Sequence, residues 1–597
     1  RYRSSYGRSL WRKIITMPFS QAIRLAGHQD PETIPYEDLR RRTAEARSIN
    51  PETIAEVHIR KVSLDARKSK STWRVEVLAY EIDEDIPPPP SSEPEIFPQP
   101  ADDAPHVVIV GAGPAGLFCA TELARKGVRF TLLERGKNVK DRRKDIANLN
   151  RGQPVNPESN YCFGEGGAGT YSDGKLFARS ASKEASRNVI ETLVSHGAPE
   201  KILWSWRPHI GSNRLPKVVK SMRESLRTVG QVQFNTKVTG LLAKDGKTYG
   251  VTWSKTEEDN TTAGSLEADA VVIATGHSAT DVLFFAKEAG ATLEAKGFAL
   301  GVRAEHSQDW VDSRQYRGRR EEDNLPAAFY ELSAKIDERG VYSFCMCPGG
   351  WIVPTQTEEG TLVVNGMSLA KRDSAFANSG IVVELQPKDW CGKRGWRWGW
   401  GELLQKAAVI SDHPLLHEVI DDPRGGNPID VAEGRLPIHP DLDPIFGVRI
   451  QVAVEVLAAH AGGGAQKAPS QRVDSFVEEL DQEDEPLPTS YLPGITPAKY
   501  DDILPKGITR RLKEGLAVFD KKLPGYANMK GQLIGVETRT SSPVRLVRDP
   551  ESKQSTTLAQ LFPCGEGAGY AGGIVSAAID GQNTASAVME MLSSRVG

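Results

Sequence analysis

The sequence predicts an α/β protein, with a parallel-sheet nucleotide-binding domain interrupted by a mixed-sheet cap and preceded by a small α/β module. Three observations carry this. A glycine-rich turn joins a wholly apolar strand to a helix, similar apolar strands recur twice downstream, and a proline-rich acidic stretch sets the first 85 residues apart. The 597 residues exceed one ordinary core, and 39% hydrophobic residues can fill two or three. Lys+Arg 75 against Asp+Glu 78 leaves a net charge of -3, which makes nucleic acid an unfavoured partner. No apolar run approaches the ~18 residues of a membrane-spanning helix. The six cysteines include no C-x-x-C pair and no metal-ligand spacing, so no metal is expected.

In chain order, "RYRSSYGRSLWRK" is basic, rich in serine and free of acids, like the end of an organellar transit peptide. It predicts an organelle, with a truncated basic arm on a cytoplasmic protein as the alternative. Residues 1–85 combine this arm with the module, whose helix reads from "YEDLRRRTAEARSI" and strands from "VHIRKVSL" and "TWRVEVLAYEI". Residues 86–104 form the Pro-rich linker, extended and without a core of its own. The nucleotide-binding domain occupies 105–290, the cap 291–529 with an insertion near 391–446, and the domain closes over 530–597. "KTEEDNTTAGSLEAD" reads as a hairpin tip, and Asp421–Asp443 as a surface insertion.

"HVVIVGAGPAGLFCATELARKGVRFTLLERG" is strand, turn, helix and strand in order. Gly111 permits the tight turn, Gly113 and Ala115 let backbone amides approach a pyrophosphate, and Gly116 lets the helix pack on the strand. Glu134, followed by Arg135, closes the second strand where a carboxylate can accept ribose hydroxyls. The loop alone does not distinguish FAD from NAD. "ADAVVIATGHSA" adds a buried strand ending in Ala274, Thr275 and Gly276. "LFPCGEGAGYAGGIVSAAIDGQNTASAVMEML" adds a strand, a loop with Gly565 and Glu566, and a helix beginning near Gly572, Gly573 and Ile574. Glu566 can hold ribitol hydroxyls, and the helix start can face the flavin edge where reduction builds negative charge. Together, with Val238 as a further contact, they predict a Rossmann-like FAD-binding domain with the βαβ unit of the glutathione-reductase type.

"FGEGGAGTYSDGKL" (163–176) repeats the glycine spacing, yet no buried strand precedes it and no helical stripe follows. It therefore reads as a wall beside the cofactor, with Gly166, Gly167 and Ala168 small enough to pass closely. One nucleotide, FAD, is bound firmly, and NAD(P)H enters only as a transient electron donor. At this point "FGEGGAGTYSDGKL", "ATGHSATDV", "GFALGVRAEH", "YSFCMCPGGWIVP", "GVETRTSSPVR" and "PCGEGAGYAGGIVSAAIDGQNTA" resemble the signature segments of the FAD-dependent dehydrogenase (NAD(P)/FAD-dependent oxidoreductase) family of bacteria and plastid-bearing eukaryotes. The resemblance runs from about residue 45 to the end and departs between Cys391 and Gly447. It implies the fold and FAD, makes the chloroplast stroma the expected organelle, and leaves the substrate open.

The chemistry is expected beneath the cap, whose strands read from "FALGVRAEH", "TLVVNGMSL" and "IVVEL". Cys345 and Cys347, two apart, point to one face as a redox pair or as two small buried residues. His277 is an acid–base candidate or a structural turn cap. Arg539, with Arg545, either clamps an anionic substrate or ties loops together. Arg303 reads as one charge turned to solvent. Trp396, Trp398 and Trp400 form an aromatic surface or pack the insertion. The expected activity is FAD-dependent oxidation–reduction of a small-molecule substrate, with NAD(P)H or ferredoxin as electron donor and a protein partner for the N-terminal module. An FAD-dependent RNA-modifying enzyme and a flavin-containing scaffold are the alternatives.

Overall fold

The computed structural model describes residues 18–66, 70–176, 182–257, 260–321, 325–390, 395, 397–417, 443–480, 485–528 and 530–596. The transit-like segment before residue 14, Cys391, Trp396 and most of the predicted Asp421–Asp443 insertion lie outside them. Two compact units divide the chain. The first comprises Arg1–Pro90, Glu200–Pro208 and Arg319–Pro326, and is built on an antiparallel sheet in the order Phe19–Ala26, Thr72–Glu81, Ile54–Asp65. Alternation puts Val75, Val77 and Ala79 on one buried face, where Leu39 and Ala44 of the helix Tyr36–Arg47 complete the core. Two acids open that helix and Ser48, left-handed, ends it.

The second unit holds the remaining chain and contains two main sheets. Its parallel sheet runs Leu561–Pro563, Ala270–Ile273, His106–Val110, Arg129–Leu133, Gln231–Gln233. These strands are short and nearly all apolar because helices cover both faces of such a sheet. The helix Pro114–Arg125 follows the glycine turn, and the C-terminal helix Ile574–Val596 packs so closely on it that a Cβ at Gly581 would lie 2.2 Å from the Ala115 carbonyl oxygen. Thr236–Lys244, Lys247–Glu257 and Asn260–Glu267 form a separate antiparallel sheet. Among the described residues, no helix is long and apolar enough to cross a membrane.

The cap sheet is mixed, in the order Ser333–Ile336, Arg339–Cys347, Phe376–Leu385, Phe298–Ser307, Gln532–Glu537, Ala468–Arg472, Ile495–Pro497. Two assignments change here. Gln532–Glu537, expected in the closing segment of the nucleotide domain, pairs with Phe298–Ser307 and Ala468–Arg472 inside the cap sheet, since all six residues are buried and need partners on both edges. The "TLVVNGMSL" strand, Val364–Ser368, forms a hairpin with Gly350–Pro354 outside the main sheet.

Candidate functional site: one cavity from the glycine turn to the cap

A cavity of about 950 Å³ runs from the glycine turn to the cap sheet. The three glycines of the turn do different work. At Gly111 a Cβ would sit 2.5 Å from the Ala274 carbonyl oxygen, and at Gly116 it would sit 1.9 Å from that of Gly111, so both are demanded by the protein's own backbone. At Gly113 the nearest protein atoms would be 4.0 Å away. The space beside Gly113 is cavity, which fits a glycine kept small for a ligand at the N-terminus of the helix Pro114–Arg125.

The loop 163–176 lies directly on that turn, with Gly166 N donating to Ala112 O at 2.8 Å. Gly167 lines the cavity, and a Cβ there would be 3.1 Å from Gly113 Cα. Gly166 faces inward, against Thr170 and Val219, and so serves loop packing instead of the cavity wall. What holds the loop was not visible in its glycines. The fully buried Arg142 donates Nε to Asn160 O (2.7 Å), Nη2 to Tyr161 O (2.7 Å) and Nη1 to Glu165 O (2.9 Å).

Glu134 closes its strand at the cavity wall, where its carboxylate accepts the amides of Ala112 (2.8 Å), Gly136 (2.9 Å) and Gly164 (2.9 Å). A carboxylate offers about four acceptor sites, so one remains for a ribose hydroxyl. Beside it Arg135 bridges Glu158 (2.6 Å) and Asp281 (3.1 Å) and stacks 4.2 Å over Phe163. Lys237 joins the same two acids at 3.1 and 3.3 Å. With Val238, Ala274, Thr275 and Gly276 also on the wall, this end suits the adenosine half of a dinucleotide.

Ala115, Ala168, Glu566, Gly572, Gly573 and Ile574 continue the lining toward the cap. Added Cβ atoms at Gly572 and Gly573 would meet nothing, so the start of the C-terminal helix is open to a ligand. Burial pushes Glu566 up to about 7, against the pull of Lys296. Gly565, expected beside the cofactor, instead packs on Ala115. His277 reaches the cavity with Nε2 3.9 Å from Glu566; burial, then Arg539 and Lys296, push it down to about 4, so at neutral pH it is an uncharged imidazole.

Arg539 lines the cavity but is already engaged, donating Nε and Nη2 to Glu455 (2.9 and 2.6 Å) and Nη1 to Thr357 (2.9 Å). It ties its own loop to the helix Phe446–Gly462 and to the loop of Thr357, which favours the tying reading over the clamp. Arg545 pairs with Glu294 at 3.3 Å and is not part of the wall. Arg303, expected in solvent, is fully buried and bound to Glu537 at 2.5 Å and Asn378 at 2.8 Å. Trp398 and Trp400 are buried and stacked at 5.8 Å, which removes them as a planar ligand surface.

The cysteines correct a further expectation. The strand Arg339–Cys347 shifts register between Phe344 and Cys347, and Cys345 has φ 46. Alternation therefore breaks, so Phe344 and Cys345 both line the cavity while Cys347 is buried behind. Both sulfurs contact Lys175 Nζ, at 3.6 and 3.7 Å. Asp173 and Lys175, which the sequence reading passed over as part of a small-residue wall, stand in "SDGKL"; two charges in a glycine-rich loop were the signal.

The cavity thus has a ligand-facing glycine turn, an acid for the ribose and an open helix start where a flavin carries charge, a donor and acceptor set that fits FAD. This is a Rossmann-like flavoprotein. Residues 105–300 match the family model described as pyridine nucleotide-disulphide oxidoreductase. Residues 297–397 and 433–540 match that described as FAD-dependent protein, C-terminal domain-like. An uncharacterized protein of Clostridium beijerinckii is 37% identical over 488 residues, 81% of this chain and 80% of that one. The chain belongs to this family of FAD-dependent oxidoreductases. Among solved structures, Mycobacterium smegmatis Sdh1 in complex with UQ1 is 13% identical over 82% of this chain and 69% of that one, at a TM-score of 0.31. A flavocytochrome c3 fumarate reductase in its open conformation is 11% identical over 82% and 79%, also at 0.31. At these values the likeness says nothing of the reaction.

Proposed function

We propose that the chain passes hydride between bound FAD and a small-molecule substrate held under the cap, and that the electron donor, NAD(P)H or ferredoxin, visits the site without a domain of its own. The observation that carries this is the continuity of one cavity from Gly113 to Tyr342, Phe344 and Cys345 of the cap. Bound FAD supplies a two-electron acceptor and donor. Gly113 and Gly167 admit the phosphates, Glu134 the ribose, and Glu566 with the Gly572–Ile574 helix start the ribitol and ring. Phe344 and Tyr342, the latter fixed by donating to Glu384 at 2.7 Å, make an aromatic wall that keeps water from the reacting atoms. Glu566, poised near neutrality, can hold a proton and release it, with neutral His277 beside it.

The sequence has one complete strand–GxGxxG–helix unit, which supports a visiting donor. The test is reconstitution with FAD, removal of oxygen and rapid mixing with NADH, NADPH or reduced ferredoxin. One donor is expected to bleach the flavin, and a donor–acceptor rate matrix to give parallel lines. Failure of every donor to bleach it overturns the catalytic reading; intersecting lines with a stable ternary complex overturn the visiting donor.

A further inference from the structure

One group of side chains at the cap end of the cavity has no part in holding FAD. Cys345 lines the cavity and Cys347 lies directly behind it, in contact with the same ammonium. The backbone there is costly. Cys345 sits inside a strand at φ 46, a left-handed conformation that residues other than Gly, Asn and Asp rarely adopt, and among the described residues it is the one such non-glycine on the cavity wall. Strain of this kind, on the order of 1–3 kcal/mol, persists where surrounding structure imposes it and collects at functional sites. Here the imposition is visible: Arg303 donates Nη2 to the Cys345 carbonyl at 2.9 Å and approaches Cys347 Sγ at 3.7 Å. The bulge turns the first sulfur toward the cavity while Lys175 Nζ stays within 3.7 Å of both.

We propose that Cys345 and Cys347 are a redox-active dithiol, with Cys345 as the attacking thiolate, Lys175 as its counter-ion, Cys347 as the resolving thiol, and a small-molecule disulfide as the co-substrate class. The Cys345 thiolate attacks one sulfur of RSSR, forming a mixed disulfide and releasing RS⁻. Cys347 gives its proton to that RS⁻ and attacks the Cys345 sulfur, closing Cys345–Cys347 and expelling the second RS⁻. Two electrons pass from the dithiol to RSSR, which leaves as one thiol and one thiolate, the latter taking its proton from solvent. A lone nucleophile would need only the cavity-facing sulfur. Two sulfurs sharing one ammonium can close on each other, and a disulfide between residues two apart is strained and hence readily reopened.

The electrostatics agree. The Cys347 thiol's hydrogen bond, then Lys175 and Arg303, hold Cys345 well below the ordinary thiol range against its burial, while the same neighbour and burial push Cys347 up. Burial works against the Lys175 charge, but the two sulfurs and Asp173 outweigh it and keep Lys175 above lysine's usual value. The other groups facing the pair are Arg372, bound to Asp173 at 2.6 Å, Glu537 behind Arg303, Tyr330 behind Cys347, and Glu566 across the cavity. Of the remaining described cysteines, Cys119 and Cys564 are buried, while Cys162 also lines the cavity, 3.3 Å from the Thr355 carbonyl, so Cys162 and Cys391 are replaced by Ser in the chain tested below.

This dithiol shares the cavity of the proposed flavin chemistry but rests on separate observations, and its test reads thiols, whatever the flavin does. The full-length flavoprotein is treated with dithiobis(nitrobenzoate) without oxygen, and released nitrothiobenzoate and protein mass are followed. That chain should release two equivalents in one fast phase and end with an internal Cys345–Cys347 disulfide by peptide mass. Cys347→Ser should stop at one and keep the mixed disulfide; Cys345→Ser should lose the fast phase. A second measurement needs no further variant: iodoacetamide labelling of Cys345 against pH should show a midpoint at least one unit below the free-thiol value of about 8.5. Lys175→Met should raise that midpoint. Labelling at the ordinary midpoint, or two equivalents still released by Cys347→Ser, would overturn the proposal, even if the flavin is bleached as expected.

Discussion

The parallel sheet and the cap sheet bury their strands in opposite ways. In the first, Val107, Val108, Ile109, Val271 and Val272 have no exposed surface and no charge interrupts a strand, so the cavity receives mainly backbone from the strand ends. In the second, Arg303, Glu305 and Asn378 within strands and Glu537 at a strand end are at 2% exposure or less and bind one another or nearby loops. The end that suits a nucleotide is lined largely by main chain, which many sequences can supply, and the cap end by side chains. Breaking the first should change affinity; breaking the second should change stability and chemistry.

The largest effect is expected where the cap's charges are split. Burial pushes Glu537 up to about 7 while Arg303 pulls it down, and the guanidinium stays charged because its donors are spent on Glu537, Asn378 and the Cys345 carbonyl. Glu537→Leu strands that cation and should cost about 3–5 kcal/mol in denaturant unfolding. Adding Arg303→Met should restore most of it. If Glu537→Leu alone is nearly silent, the cap is not held by charge and the contrast fails.

Next is the pH response of His277. Its folded value of about 4 lies below the ordinary 6.5, so between these the unfolded chain binds the extra proton and stability falls as pH drops. The full penalty, reached below pH 4, is at most about 3 kcal/mol. His277→Gln should flatten the stability curve across that window, measured at fixed ionic strength; an unchanged slope would place the sensitivity elsewhere.

The glycine turn sharpens the comparison within the nucleotide end. Gly113→Val should weaken FAD by roughly 5–150-fold, about 1–3 kcal/mol, without moving the unfolding midpoint of the FAD-free protein. Gly116→Val should move that midpoint, because its side chain meets the Gly111 carbonyl. Equal effects of the two on stability would mean both glycines face protein. The smallest change is expected from Arg539→Lys, which loses the two-pronged grip on Glu455 and should cost about 1 kcal/mol while leaving the flavin reduction rate within twofold. A large rise in substrate KM instead would return Arg539 to the role of clamp.

The parallel sheet and its turn were legible because periodicity, glycine spacing and chain order are local signals. Gly111, Gly113, Ala115, Glu134 and Ala274–Gly276 all fall on the cavity wall. The cap's interior was illegible for the converse reason. Arg303 looks like a solvated strand charge until Glu537, 234 residues later, is brought against it. Gly116, Gly166 and Gly565 look identical in sequence to the ligand-facing glycines, and only their neighbours' carbonyls and side chains separate the two kinds. The Cys345 bulge escaped the alternation rule because a register shift is decided by the partner strand Phe376–Leu385.

Arg142 gives the loop 163–176 a property in time. The carbonyls of Asn160 and Tyr161, just before the loop, and of Glu165 within it accept from one buried guanidinium, so each bond broken alone leaves part of a cation unsolvated. Opening is therefore expected to be all-or-none, and a flavin seated beside Gly113 to leave slowly; rapid exchange with added FAD would show that this wall opens in parts.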